Sequence, residues 1–353
     1  TGHNGFKGTW LTLLLHSLGA DVHGFSLKQI SRPNMFEVLA ANQFCASSAI
    51  GDVRELSSLR SELVRAQPDI VIHLAAQAVV SEGYIEPENT FGTNIMGTLN
   101  CLEVLRTCFE YVRRPTSDPI LTLIISSDKC YSNPGNGRHF NESDPLGGDD
   151  PYSASKSCAE IVCNSYRHSF FGATDTVRIA SARAGNVIGG GDWAENRLLP
   201  DAARALATKQ PVRVRNPNHT RPWQHVLEPL VAYLLLIQEM SINQGIATSW
   251  NVGPTTSHIV PVKQLIDIFV DAWPSRDASW VDLAGRQQFE EAKYLSLNTE
   301  KLSKAIGWSS RLDIIEAVEW TAEWYSDFYR KGGEGMTKKT LQQINNYIDK
   351  VNA

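Results

Sequence analysis

The sequence predicts an α/β protein built on a doubly wound parallel sheet, with a smaller mixed α/β lobe towards the C-terminal side. Three features predict this fold. A glycine-rich loop opens the chain, apolar runs alternate with helical stretches over the first half, and polar residues follow the end of one apolar run. Apolar runs that lack polar alternation are typical of strands covered by helices on both faces of a sheet.

The first element is the glycine-rich loop. Residues 1–8 have the spacing G-x-x-G-x-x-G and lead into an apolar helical stretch at 10–18. Glycine lets the backbone approach a diphosphate, and the following helix offers free N–H groups and the positive end of its dipole. A strand normally precedes such a loop, so we expect a short strand before Thr1. Without that strand, an ordinary glycine-rich turn is an equally good interpretation.

Strands and helices then alternate. We predict strands at 21–25, 70–74, 120–125 and 176–182, and helices at 53–66, 89–108 and 152–171. Beyond residue 185 come loops rich in Gly, Asn, Pro and Arg, then helices at 200–208 and 229–240 and an amphipathic stretch at 314–328. We therefore predict a dinucleotide-binding domain over 1–184, rejoined by 222–252, and a substrate-binding lobe over 185–353. Ligands of such folds bind at the carboxyl ends of the strands.

Composition excludes several classes of protein. The chain has 353 residues, 42% of them hydrophobic and 20% charged, with a net charge of -5. These values argue against a nucleic-acid partner, and no apolar run is long enough to span a membrane. The six cysteines show no C-x-x-C pair and no spacing typical of a zinc site, so we expect reduced thiols, a cytoplasmic location and no metal. A segment that precedes Thr1 could still carry a targeting signal.

Two short stretches carry groups suited to catalysis. Ser126-Ser127-Asp128-Lys129-Cys130-Tyr131 follows the apolar run 120–125, at the expected carboxyl end of a strand. Further on, Tyr152 and Lys156 lie four residues apart, on one face of a helix that begins near Pro151. A lysine ammonium beside a tyrosine favours phenolate, which can accept a hydroxyl proton as a hydride leaves for nicotinamide. Taken singly, each stretch also fits a structural interpretation, as paired charges at a strand end or a surface Tyr/Lys pair.

Taken together, these motifs resemble the extended short-chain dehydrogenase/reductase family, whose members have a Rossmann fold. The resemblance covers most of the chain and includes GHNGFKG from Gly2, HLAAQ from His73, DPYS from Asp150, RAGNVIGGGDW from Arg183 and RPWQHVLEP from Arg221. It implies Ser127, Tyr152 and Lys156 as the oxidoreduction set. It also implies NAD, retained through the cycle, and a homodimer, which apolar residues on several faces of helices 89–108 and 152–171 also favour.

Within this family, Asp128 and Lys129 resemble the acid and base that sugar-nucleotide 4,6-dehydratases add after the hydroxyl residue. Once C4 of the sugar is a ketone, Lys129 can remove the C5 proton and Asp128 can protonate the leaving C6 hydroxyl. The branch acting on dTDP-glucose carries Asp-Glu here, whereas Asp-Lys followed by Cys-Tyr is similar to the branch whose substrate is CDP-glucose. Another nucleotide sugar, a 4-epimerase, or a nucleotide-sensing protein without turnover are the alternatives.

The resemblance also implies binding residues. Those expected to contact the cofactor, besides Tyr152 and Lys156, are Gly2, Asn4, Gly5, Phe6, Gly8, Asp52, Val53, Leu74, Ala75, Ala76 and Asn94. Guanidinium groups suit phosphate oxygens, and the expected substrate contacts are Asn186, Arg197, Arg213 and Arg221. Taken singly, each arginine also fits a solvated surface charge. We expect Trp193, Trp223 and Trp250 to pack in the core.

Some positions depart from the family pattern. Ser26 stands where an acidic residue would bind the adenosine 2′-hydroxyl, and Lys28 and Arg32 nearby suit a 2′-phosphate, so the residues alone leave NADP open. Asn4 replaces a threonine and can still cap a helix. Ser81 replaces an arginine, which removes a charge near the cleft. Glu290 and Lys293 replace two histidines, which makes the choice of nucleotide base less certain than the reaction.

Overall fold

The computed structural model describes residues 1–109, 118–172, 176–254, 259–283 and 294–353. Its helices are α1 (Phe6–Ser17), α2 (Met35–Val38), α3 (Leu56–Ala66), α4 (Val80–Ile85), α5 (Pro87–Phe91), α6 (Gly97–Phe109), α7 (Pro151–Tyr166), α8 (Leu198–Ala207), α9 (Leu227–Ile242), α10 (Val262–Ala272), α11 (Glu300–Ile306), α12 (Ile314–Lys331) and α13 (Met336–Asn352). Its strands are β1 (His23–Ser26), β2 (Ser47–Ile50), β3 (Ile70–His73), β4 (Ile120–Ile125), β5 (Val177–Ala184), β6 (Val187–Ile188), β7 (Val212–Val214), β8 (Thr220–Pro222), β9 (Gln224–His225), β10 (Ser249–Val252), β11 (Ile259–Pro261) and β12 (Trp280–Asp282).

A parallel sheet of order β10-β5-β4-β3 forms the centre of the fold. All six residues of β4 are buried, because helices cover both faces of the sheet. The pairing places Ile125 beside Ala182, so β4 and β5 end close together at one edge. Parallel strands with helical connections confirm the predicted α/β class.

A second, two-stranded parallel sheet consists of β1 and β2. Thr1 and Gly2 lie between the two sheets. The Thr1 ammonium donates to the carbonyl of Ile72 at 2.8 Å, and the Gly2 N–H donates to the carbonyl of Phe25 at 2.9 Å. The glycine loop is thereby fixed at the edge where β1 and β3 end. The short strand that we expect before Thr1 stays a prediction.

Helix α7 begins where the sequence indicates. The Asp150 carboxylate accepts from the Ser153 N–H at 3.0 Å, and Pro151 occupies the first turn, so both signals for a helix start are present. The α-helical part ends at Tyr166, and a π-helical turn continues to Phe171. The helix predicted at 89–108 is divided into α5, a π-helical segment at Gly92–Met96 and α6. Glycine at both ends of this segment lowers the preference for regular α-helix.

The later part of the chain forms a lobe beside the sheet, with α12 packed against α10, α8 and α13. β10 returns to the central sheet and pairs with β5. The division at residue 184 stays a prediction. Several elements, among them β2, α4 and α13, have no counterpart in the sequence-based expectations, because their sequences are short or largely polar. None of the helices in the described ranges is both long and apolar enough to cross a bilayer.

Candidate active site

A cavity of about 1200 Å³ opens at the carboxyl ends of the strands, between the sheet and the later lobe. Nearly all predicted site residues line it. These are Gly2, Asn4, Gly5, Phe6, Gly8, Asp52, Val53, Leu74, Ala75, Ala76, Ser127, Asp128, Lys129, Tyr152, Lys156, Asn186, Arg197, Arg213 and Arg221. The phenol and the carboxylate–amine pair therefore face the same space, although they are separated along the chain.

Asn94 is the exception and requires a correction. Its side chain is 1% exposed and does not line the cavity. The amide oxygen accepts from the Gln77 N–H at 2.9 Å, and the amide nitrogen donates to the Gln77 carbonyl at 3.0 Å and the Ser155 hydroxyl at 2.8 Å. Asn94 thus supports the cavity wall from behind, because helix packing turns its side chain towards the loop after β3.

The glycine loop forms a tight cradle at the start of α1. A side chain on Gly8 would place its Cβ 2.0 Å from the Gly2 carbonyl oxygen, so only glycine fits there. Gly2 has φ +72°, and its Cβ would lie 2.7 Å from the Ala75 nitrogen. The loop backbone can therefore approach a ligand closely, with the free N–H groups of the helix start beside it. These features fit the diphosphate of a dinucleotide.

Asn4 does not cap α1, contrary to expectation. Gly5 occupies the cap position, and no side chain bonds to the helix start there. The Asn4 amide instead donates to the Leu27 carbonyl at 2.7 Å and accepts from the Gln29 amide at 2.9 Å. Because residues 27–29 cross directly over the loop, they offer Asn4 a partner that sequence spacing does not show.

Ser127, Asp128 and Lys129 lie on a short 3-10 turn immediately after β4. The Ser127 hydroxyl accepts from the Lys129 N–H at 3.2 Å and donates to Asp128 Oδ1 at 3.1 Å. Asp128 is 2% exposed, and its Oδ2 has no hydrogen-bond partner in the described ranges. Burial raises the pKa of Asp128, although Lys129, Ser127 and Arg221 oppose the shift. A carboxyl with a raised pKa can donate a proton.

Tyr152 and Lys156 project from the first turns of α7, and both are at most 8% exposed. Burial raises the pKa of Tyr152 to about 12, while a hydrogen bond with Ser127 and the charge of Arg197 act in the opposite direction. Burial also lowers the pKa of Lys156 to about 8, against the charge of Glu160. The Lys156 ammonium donates to the Ile125 carbonyl at 3.4 Å. The expected lowering of the phenol pKa by Lys156 is therefore not found: burial raises this pKa, and the groups that oppose the shift are Ser127 and Arg197.

At the end of the cavity where adenosine is expected, two polar side chains already have partners in the protein. Asp52 forms an ion pair with Arg54 at 2.5 Å, and hydrogen bonding from Arg54 lowers the pKa of this carboxyl. The Ser26 hydroxyl lies 2.9 Å from His3 Nδ1 and lines the cavity. Lys28 and Arg32 are exposed and stand outside the cavity lining. This placement favours NAD over a cofactor with a 2′-phosphate.

The predicted substrate arginines lie on the side of the cavity formed by the later lobe. Arg197 forms an ion pair with Asp192 at 2.7 Å. The Asp192 backbone is held in turn by the Tyr325 hydroxyl, which donates to its carbonyl at 2.5 Å. Arg221 is 4% exposed, whereas Arg213 is exposed. A buried and an exposed guanidinium facing one cavity fit a substrate with charged groups along its length.

Comparison with known proteins gives the family. A family model described as GDP-mannose 4,6 dehydratase matches residues 1–321. The chain belongs to this family. Membership in the GDP-mannose 4,6 dehydratase family confirms the resemblance to sugar-nucleotide dehydratases that the motifs indicate.

Individual relatives agree with this assignment. The chain is 39% identical to a CDP-glucose 4,6-dehydratase of Salmonella typhimurium, over 99% of this chain and 95% of that protein. It is 22% identical to a dTDP-glucose 4,6-dehydratase of Xanthomonas campestris, over 92% of each chain. A solved UDP-glucuronic acid 4-epimerase from Bacillus cereus, in complex with UDP-glucuronic acid and NAD, superposes with a TM-score of 0.76 at 17% identity, over 93% of this chain and 98% of that one. At this identity the structural similarity shows the fold alone.

The other positions that the sequence singled out have mixed placements. Trp193 and Trp250 pack in the core as expected, whereas Trp223, although 7% exposed, also reaches the cavity wall. Ser81 lines the cavity, and its hydroxyl has no hydrogen-bond partner in the part of the chain that the structure describes. The replaced positions Glu290 and Lys293 lie outside the described residues.

Lys7 is the main residue that sequence reasoning missed. It lines the cavity, its ammonium lies 5.9 Å from the ring centre of Tyr233, and burial together with the charges of Lys156 and Arg197 lowers its pKa to about 7, against Asp128. The sequence did contain a signal that points to Lys7, namely a lysine in the first turn of a helix. A cation in the first turn of a helix is unfavourable unless an anion binds nearby.

Proposed function

We propose that this protein is an NAD-dependent CDP-glucose 4,6-dehydratase, a hydro-lyase that forms CDP-4-dehydro-6-deoxyglucose and water. One observation carries the proposal. Ser127, Asp128, Lys129, Tyr152 and Lys156 line the same cavity as the glycine cradle, and a buried carboxyl oxygen of Asp128 has no hydrogen-bond partner among the described residues. Similarity of 39% to a CDP-glucose 4,6-dehydratase over nearly the whole chain supports the choice of substrate.

The proposed catalytic residues form two sets, one for oxidation at C4 and one for the loss of water. Tyr152, whose pKa burial raises and an interaction with Ser127 acts to lower, removes the proton of the C4 hydroxyl. Lys156 lies one turn further along α7 and supports the negative charge that forms on the phenol. The residues of the glycine cradle would hold NAD, which would supply the hydride acceptor for C4 and the hydride donor for C6. Since the same cofactor takes and returns the hydride, the sugar undergoes no net oxidation.

The second set eliminates water. Lys129 removes the C5 proton, which the C4 ketone makes acidic, and Asp128 donates a proton to the C6 hydroxyl, which leaves as water. Its raised pKa favours the protonated carboxyl that this step requires. The C5 proton is restored at the end, so the balance is the loss of one water from the sugar.

A panel of substrates tests the proposal. The purified protein with NAD is incubated separately with CDP-glucose, dTDP-glucose, UDP-glucose and GDP-mannose, and products are identified by NMR and mass. We expect a 4-keto-6-deoxy product from CDP-glucose, lighter by one water. Turnover of another nucleotide sugar in preference to CDP-glucose would contradict the substrate, a C4 epimer would contradict the reaction, and binding without product would indicate a sensor.

Gly185→Ala is expected to displace the carboxyl group of Asp128, the proposed general acid. Its Cβ would stand 2.9 Å from Asp128 Oδ2 and 2.9 Å from Pro222 Cγ, so the carboxyl must move. We expect a loss of turnover of roughly 10²-fold, since small displacements of catalytic groups have effects of this size, with unchanged NAD affinity. Gly253→Ala is the matched control, because its Cβ would meet no atom closer than 3.6 Å. Equal turnover in both variants would remove Asp128 from the mechanism.

Cofactor affinity should depend on pH through Lys7. Its pKa of about 7 means that the free protein loses this charge as the pH rises through 7, and a bound diphosphate favours the charged form. NAD should therefore bind more weakly as pH increases, by up to about tenfold per pH unit for one linked proton. Calorimetric titration of NAD from pH 6 to 9 measures this dependence.

The contribution of Lys7 to the pH dependence of NAD binding can be separated from that of Lys156, because the pKa of Lys156 is about 8. Lys7→Met should flatten the dependence around pH 7 and leave the part near pH 8. Lys304→Met, on the surface of α11, should behave as the unmodified protein. A Lys7→Met protein with the original dependence would show that Lys7 is not linked to the cofactor.

A homodimer is also proposed. The apolar side chains of Ile85, Met96, Ile161 and Phe170 are 41–64% exposed on the helices around α6 and α7, and a second copy would cover such surface. Light scattering that gives the mass of one chain at micromolar concentration would refute it.

We place the protein in the cytoplasm. All six cysteines are free thiols, which a reducing compartment maintains. Recovery of the native protein in another cell fraction would contradict this location.

A further inference from the structure

A buried ion pair that the proposed chemistry leaves unused lies behind the segment 126–131. Arg183, on β5, donates from Nη2 to Glu160 Oε2 at 2.8 Å, and both residues are at most 3% exposed. Burial acts to raise the pKa of Glu160, but the charge of Arg183 and hydrogen bonds hold it below its usual value. The pair is therefore charged on both sides, in a place where unpaired charges are costly.

The two partners of this ion pair hold opposite ends of the segment. At one end, the Ser126 hydroxyl donates to Glu160 Oε1 at 2.5 Å. At the other, the Tyr131 hydroxyl accepts from Arg183 Nη1 at 2.7 Å and donates to Asn251 Oδ1 at 2.6 Å. Ser127, Asp128 and Lys129 lie between these two attachments.

The same ion pair also relates the segment to α7. Glu160 follows Lys156 by one turn of that helix, and its charge raises the pKa of Lys156. The hydrogen bonds of Glu160 thus connect the helix that carries Tyr152 and Lys156 to the strand end that carries the acid and the base. Charge-assisted hydrogen bonds of this kind are among the stronger and more directional contacts in proteins.

We propose that the Glu160–Arg183 ion pair is the positioning element of the active site, setting the location of the acid–base segment relative to the phenol and amine of α7. Neither residue is among those that line the cavity. Their effect is geometric, and it is large because a shift of about 1 Å in a catalytic group can lower a rate 10²-fold. The inference rests on the proposed function, since the rates it concerns are those of the dehydratase.

This assignment also explains Tyr131, which the sequence places beside the catalytic residues. Its side chain is 2% exposed and stacks on Phe140 with ring centres 5.0 Å apart, directed away from the cavity. The phenol serves the ion pair and takes no part in the reaction itself.

Tyr131→Phe and Ser126→Ala test the proposal, since each removes one attachment and keeps the ion pair. Tyr166→Phe is the matched control. It lies on α7 and loses a phenol hydrogen bond away from the cavity, the one that Tyr166 donates to the Glu103 carboxylate at 3.0 Å. For each variant we measure kcat and KM with CDP-glucose, NAD affinity and the rate of cofactor reduction. Deuterium exchange at C5 and the unfolding temperature are measured as well.

We expect the turnover of Tyr131→Phe to fall about 10- to 100-fold, because deuterium exchange at C5 becomes slower. The rate of cofactor reduction, KM and NAD affinity should remain nearly unchanged. Ser126→Ala, next to Ser127, should slow cofactor reduction as well. The control should lose no more than about twofold.

Three outcomes would overturn the proposal: unchanged turnover in both variants, an equal loss in Tyr166→Phe, or failure of both variants to fold, which would assign the ion pair to stability alone. Absence of turnover in the unmodified protein would instead contradict the proposed function.

Discussion

Lys129→Met is expected to lower turnover by about 10²–10⁴-fold, the range typical of a missing general base. The amine lies on the 3-10 turn after β4 and faces the cavity that holds Tyr152 and Asp128. Methionine keeps the length and packing of the side chain but cannot accept a proton. In the proposed mechanism, oxidation at C4 depends on Tyr152 and Lys156, so we expect cofactor reduction to persist and the reaction to stop at the ketone.

The measurement is a single-turnover experiment that follows absorbance of the reduced nicotinamide and deuterium entry at C5. In the Lys129→Met protein, reduced cofactor should accumulate, deuterium should not enter C5, and NAD affinity should be retained. Lys304→Met, at a lysine paired with Glu300 on the surface, is the control for loss of a charge. Deuterium exchange at the normal rate in Lys129→Met would transfer the role of base to another residue.

Tyr152→Phe is expected to stop the reaction one step earlier, with a loss of similar size, about 10²–10⁴-fold. The phenol is buried and its pKa is raised to about 12, so it is protonated in the free protein at neutral pH. A cofactor held by the glycine cradle would supply the positive charge of oxidised nicotinamide, which would favour phenolate. Phenylalanine keeps the ring and removes only the group that takes the C4 hydroxyl proton.

No reduced cofactor should appear when Tyr152→Phe is mixed with substrate, while NAD and CDP-glucose should still bind in calorimetric titrations. Tyr329→Phe, a tyrosine 36% exposed on α12, is the control. A burst of reduced nicotinamide in Tyr152→Phe equal to that of the unmodified protein would show that another group takes the proton. The two variants are distinguishable because Lys129→Met accumulates reduced cofactor and Tyr152→Phe forms none.

Local sequence patterns predicted most of the fold. Uninterrupted apolar residues in β4 indicated a strand buried on both faces, and the Asp150-Pro151 pair marked the start of α7 within one residue. Such signals are local, because strand burial and helix capping depend on residues adjacent in the chain. The misplaced details, such as Asn4 and Asn94, involve side chains whose partners come from other segments.

The sequence by itself determined which functional groups are present, their spacing within the glycine loop, the strand-end turn and α7, and hence the family and the expected chemistry. Only the tertiary structure decided the state of those groups. Asp128 is a candidate acid because residues around Gly185 and Pro222 bury it, and Lys7 has a pKa near neutrality because burial, together with the charges of Lys156 and Arg197, lowers it. Desolvation and charge depend on distances in space between segments far apart in the chain, and no local pattern specifies those distances.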